Sequence, residues 1–106
     1  PIKSSAASDV YKRQATTAGQ DFVHSAPVTL IFAVNQAKTE RISGGRAGAI
    51  CQSVDVGVMV QNALLACSAM GLAAVPRAWL EPQTVLQALG LTSYDPQMAV
   101  TVGFPK

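Results

Sequence analysis

Few side chains in this sequence are placed to do covalent chemistry. His24 is the lone histidine, and a surface or capping role suits it better than catalysis. Ser43-Gly44-Gly45-Arg46-Ala47-Gly48 stands before an expected helix, as a phosphate-binding loop would. It lacks the lysine and Ser/Thr of a P-loop and the spacing of a dinucleotide fingerprint, so it reads as a flexible lead-in. Asp55 is expected early in that helix, where the dipole favours an anion, with Arg46 or Arg41 as its partner. No serine or cysteine has a base placed by the sequence, and no metal site is visible, so the reading assigns no catalytic side chain and no metal. Cys51 and Cys67 fall on one expected helix, about 24 Å apart by rise, too far to bridge. What remains is Pro76-Arg77 at the end of a short strand, Trp79 close behind, and Lys106 in the last position.

The elements that must position these residues belong to a small body. The chain has 106 residues, 49% of them hydrophobic and only 13% charged. That is apolar for a domain with so much surface to cover, and it implies apolar surface left over for another chain or for further sequence. A net charge of +2, with Lys3, Lys12 and Arg13 all near the start, is no nucleic-acid footprint. Asp55, Gln61 and Asn62 interrupt the best apolar run, so no membrane span is expected. Two free thiols favour a cytoplasmic location, weakly. Ser4 to Gln14 has no apolar period, cap or turn logic, and it resembles the translation of a library-preparation adapter. Residues 1–14 are therefore read as a non-native leader and 15–106 as the domain. The true N-terminus is then expected to lie upstream, which leaves export open.

Along the chain, Pro27 to Val34 reads as a buried strand and polar Gln36 to Gly48 as a loop. A long helix runs from about Ala49 to Met70 and stops at Gly71. Leu72 to Pro76 is a short strand. Glu81 caps a helix with Pro82 in its first turn, ending at Leu89 before Gly90. Gln97 to Gly103 is the final strand. At 100° per residue the long helix has two polar stripes, Asp55 with Asn62 and Gln61 with Ser68, separating two apolar faces. Such a helix is buried between two bodies.

The ordered set Asp55, Gly57, Gln61, Asn62, Leu65, Gly71, Leu72, Ala73, Val75 and Arg77, followed by Val102-Gly103-Phe104-Pro105-Lys106, resembles the C-terminal half of nitroreductase-like flavoproteins. The nearest likeness is to the SagB/ThcOx-type dehydrogenase branch, which closes on Val-Gly-Tyr-Pro-Lys. Gly19 to Val34 is similar to the family's strand before the long helix. The resemblance implies an α+β fold, with a mixed sheet flanked by helices and a long buried central helix. It also implies a homodimer built on the helix around Val54–Met70, where Gly57, Ala63, Ala66 and Ala69 allow close approach.

The same resemblance implies FMN at the dimer interface, with Val75, Pro76, Arg77 and Ala78 beside its ring, Arg77 lining the pocket mouth, and Lys106 near its phosphate. A backbone N–H from Arg77 or Ala78 would reach flavin N5. Family members usually have Gly where Ala78 stands, and the extra methyl restricts that approach. The family's arginine-rich phosphate contacts have no counterpart here, so the chain alone is expected to be inactive. The implied reaction moves electrons from NAD(P)H through FMN to a small acceptor such as a nitro compound or quinone. The alternatives are azoline oxidation in peptide maturation and a non-catalytic flavin- or ligand-binding dimeric module.

Overall fold

The computed structural model describes residues 25–42 and 45–105. Its elements run β1 (Val28–Asn35), α1 (Gln36–Ile42), α2 (Gly45–Ala69), β2 (Ala73–Arg77), α3 (Pro82–Leu89) and β3 (Tyr94–Gly103). The three strands form one sheet in the order β1-β3-β2. Both described pairings are antiparallel, where a mixed sheet was expected.

β1 is rich in Val, Ile, Leu and Phe, residues that suit a pleated, half-buried surface. In register with β3 it sets Val28, Leu30 and Phe32 opposite Val102, Val100 and Met98, on the face that receives α2. There Val56 and Val60 meet fully buried Val100, with Phe32, Val34, Leu64, Ala74, Met98 and Val102 around them. β3 starts at Tyr94, earlier than the expected Gln97, and so carries Pro96 inside a strand. Two features permit this. The register shifts between Phe32 and Ala33, and β2 reaches only Ala99 to Gly103, which leaves Pro96 beside an open edge where no donor is required. Gln97 at the irregularity donates from Nε2 to Asp95 Oδ2 at 3.2 Å.

The segment expected to be a loop is helical. Asn35 caps α1 by accepting the Lys38 N–H on Oδ1 at 3.1 Å, and Thr39 Oγ1 donates to the Asn35 carbonyl at 2.8 Å. Ala37, Lys38 and Arg41 are good helix formers once a cap is supplied. α2 then begins at Gly45, four residues before the expected start, with Gly48 already buried. This early start removes the dipole argument for Asp55, which lies well past the first turn and is exposed. It also lies nine positions after Arg46 on the same helix, about 13 Å of rise, so those two do not pair.

The C-terminal ends of the helices follow the sequence signals. Gly71 takes φ +73, and the Leu72 N–H returns to the Cys67 carbonyl at 2.8 Å while Gly71 N–H reaches Ser68 at 3.2 Å. This is a Schellman closure, which needs the left-handed conformation that glycine adopts freely. Gly90 ends α3 in the same way, with Leu91 N–H on the Leu86 carbonyl at 3.0 Å. Glu81 stands at the N-cap of α3 but makes no side-chain bond to the backbone. Its carboxylate accepts the Thr84 hydroxyl at 3.4 Å instead.

Candidate functional site

β2 is an edge strand among the described residues, and its five positions divide cleanly. Opposed residues of an antiparallel pair share a face, so Ala74 and Pro76 lie with Val102 and Val100 on the α2 side. Ala73, Val75 and Arg77 lie with Gly103, Thr101 and Ala99 on the other. Proline has no N–H to give a ladder, and a ladder position needs one. Ala73, Val75 and Arg77 are therefore the positions that bond to β3, and the backbone of Ala74 and Pro76 turns to the open edge; continued one residue beyond β2, the same alternation would turn the Ala78 N–H there.

Arg77 departs from its expected place. Its side chain is only 4% exposed, on the sheet face away from α2, and its Nε donates to Thr101 Oγ1 at 3.0 Å. Burial pushes the guanidinium below its ordinary pKa, because desolvation disfavours the charged form. Among the described residues it does not line the cleft between α2 and β2. The resemblance and the strand-end position both suggest an exposed arginine, and strand alternation overrides that exposure.

On the α2 side, the C-terminal turn of that helix and β2 enclose an open cleft of about 490 Å³. Leu64, Leu72, Ala74, Pro76 and Pro105 give it apolar walls, with Gly71 and the Ser68 hydroxyl at its rim. Of the residues singled out in the sequence, Pro76 lines this cleft. Val75 and Ala78 are exposed on the edge strand, and Trp79 is 72% exposed just beyond it. Lys106, His24, Ser43, Gly44 and segment 1–14 lie outside the described residues. Thr101 is the residue that sequence reasoning missed. Its one signal is a hydroxyl within the apolar run Met98–Val102. Among the described residues, no three His, Cys, Asp or Glu side chains come together.

The remaining distinctive surface is α2 itself. It is long and apolar enough to cross a membrane by length and composition, yet one stripe, Val56, Val60 and Cys67, is buried, and its two valines lie in the core against the sheet. On the opposite stripe Val54, Val58 and Leu65 are 58%, 57% and 59% exposed. Gly57, Ala66 and Ala69 are also exposed, whereas Ala63 is half-buried at the flank of the core stripe. Cys51 is exposed and Cys67 buried, both unbridged.

A model of the Nitroreductase family matches residues 2–104, running into the segment read from the sequence as a leader. Nitroreductase A from Vibrio parahaemolyticus superposes with a TM-score of 0.80 at 30% identity, over 92% of this chain and 46% of that one. An NADPH:FMN oxidoreductase from Vibrio harveyi, solved with NAD+, gives 0.78 at 28% identity, over 96% and 48%. A nitroreductase-type structure from Ralstonia eutropha gives 0.74 at 30% identity, over 82% and 41%. The chain thus spans less than half the length of each of these structures. No curated protein matches it.

Proposed function

The chain belongs to the nitroreductase family, and from that premise we propose that residues 15–106 supply the C-terminal part of an FMN-dependent oxidoreductase domain that works as a homodimer. The observation that carries this reading is an apolar cleft set against the open edge of a strand. The described residues fit the ring of FMN: Leu64, Leu72, Ala74, Pro76 and Pro105 offer flat apolar surface. The backbone of Ala78 would turn to the same edge. They do not fit its phosphate, because no lining residue is cationic. Lys106 and further sequence of the domain would serve there.

Bound FMN would supply two-electron chemistry, with NAD(P)H as hydride donor and a small acceptor such as a nitro compound or a quinone. The chain's own part is positional. Pro76, with φ fixed by its ring, is a stiff wall. The Ala78 N–H is the donor of this segment that faces away from the β3 ladder, so of the two amides the resemblance suggests, Ala78 rather than Arg77 reaches the ring edge. The apolar walls displace water and strengthen that bond. The exposed Val54-Val58-Leu65 stripe is the proposed seam with the second subunit. Within the family, the Asp55-Gly57-Gln61-Asn62 spacing favours the SagB/ThcOx-type branch, which includes enzymes that oxidise peptide azolines, and azoline oxidation is the alternative to electron entry from NAD(P)H.

Filling the cleft tests the reading. Ser68 is exposed at the rim, so Ser68→Trp is expected to leave the melting temperature of a full-length domain carrying this chain unchanged and to abolish quenching of FMN fluorescence. Undiminished FMN binding by that variant would remove the cleft from the site.

A further inference from the structure

We propose that Arg77 is a positioning residue: its buried guanidinium, bonded to Thr101 of the central strand, holds the end of β2 so that the Ala78 amide keeps its direction toward the ligand side. The inference rests on the FMN reading above and assigns Arg77 and Thr101 a role that the resemblance does not give them.

Three observations converge on it. First, the end of β2 is held by few backbone bonds. The strand is five residues long and, among the described residues, sits at an edge and pairs with β3 alone. Strand ends so thinly bonded open readily. Second, Arg77 is buried while its neighbours Val75, Pro76 and Ala78 are exposed. A long cation at a strand end normally reaches for water, and desolvating it is costly unless a partner receives it. Here the Nε–H to Thr101 Oγ1 bond at 3.0 Å is such a contact. Third, the anchor is rigid. Thr101 is 4% exposed and follows Ala99 and Val100, both fully buried, in the strand that β1 and β2 flank. A fixed hydroxyl on the central strand, a planar guanidinium and the backbone of Arg77 thus form one link from the core to the residue before Ala78. Because the side chain points away from the cleft, it acts on the ligand only through this backbone.

The test uses a full-length domain carrying this chain, with inorganic-phosphate-free FMN as the probe. Thr101→Val keeps the shape and removes the acceptor. In cofactor-free protein it is expected to speed amide exchange across residues 78–80 about tenfold. In the FMN titration it is expected to raise the Kd by roughly tenfold, the lower range for losing a group that orients a ligand-binding one, and to change the fine structure of the bound flavin's visible band. Thr101→Ser, which retains the hydroxyl, restores all three. The double variant Arg77→Met with Thr101→Val replaces the buried cation and folds on an apolar pair, yet it keeps the three defects. Parent-like exchange in Thr101→Val overturns the brace. Faster exchange with unchanged Kd and spectrum makes it a structural contact and overturns the positioning role. A parent domain that takes up no FMN instead removes the FMN reading itself, and the positioning role falls with it.

Discussion

Leu65→Glu on the outer stripe of α2 is the sharpest perturbation of the proposed subunit seam. Full burial of a Val or Leu side chain contributes about 1.5–3 kcal/mol. Val54, Val58 and Leu65 keep between 57% and 59% of their surface exposed, so each has roughly 1–1.7 kcal/mol left to gain. Two copies of the stripe then supply roughly 5–10 kcal/mol, against an association cost of about 4–15 kcal/mol. The margin is narrow. In a two-fold pair Leu65→Glu removes two of the six contributions and buries two carboxylates without partners, at several kcal/mol per ion. The dimer is expected to dissociate fully at micromolar concentration. The subunit fold is expected to persist, since Leu65 is exposed and Glu is a good helix former. Size-exclusion chromatography with light scattering reads the mass, circular dichroism the fold, and Gln87→Glu at an exposed position of α3 serves as control. A monomeric parent, or a Leu65→Glu variant that stays dimeric, would refute the reasoning. Ala63, expected to allow close approach of the second subunit, flanks the core stripe instead, whereas Leu65 points the other way.

Other outcomes follow from the same contacts. Val100→Ala, at a fully buried site, is expected to cost about 2–3 kcal/mol, two methyl groups plus the cavity they leave, read as a shift in the urea midpoint. Arg77→Ala is expected to destabilise by about 2–4 kcal/mol through a lost bond to a charged donor and the space vacated; an unchanged midpoint would mean the guanidinium is not held as described. Made on its own, the chain is expected to bind FMN weakly and to show no NAD(P)H oxidation, because none of the described residues lining its cleft is cationic and Lys106 alone would face the phosphate. A soluble, yellow, active product would contradict that.

Much of the fold was legible wherever local chemistry is decisive. Gly71 and Gly90 announce helix ends because left-handed closure favours glycine, and the apolar runs within Pro27–Val34 and Gln97–Gly103 read as strands. α1 was misread because a polar helix has no apolar period; its signal was Asn35 ahead of good helix formers. The early start of α2 was hidden by Gly45 and Gly48, whose poor propensity the tertiary packing overrides. For the proposed site, the ordered motif singles out the segment Val75 to Ala78, but which face each residue takes depends on register with β3. Sequence spacing within β2 carries no such information, so Arg77 was expected at the mouth and found in the interior beside Thr101. The cleft gathers Leu64, Ser68, Leu72 and Pro105 from three segments, and only the fold brings them together.

The central claim is that this chain forms part of a site where FMN exchanges electrons with NAD(P)H. The most direct measurement is anaerobic stopped-flow absorbance of a full-length domain carrying it, loaded with FMN and mixed with NADH or NADPH. Bleaching of the flavin bands, with recovery on adding a quinone or nitroaromatic, is the predicted result. Bound flavin that neither nicotinamide reduces would contradict the account and leave a binding module in its place.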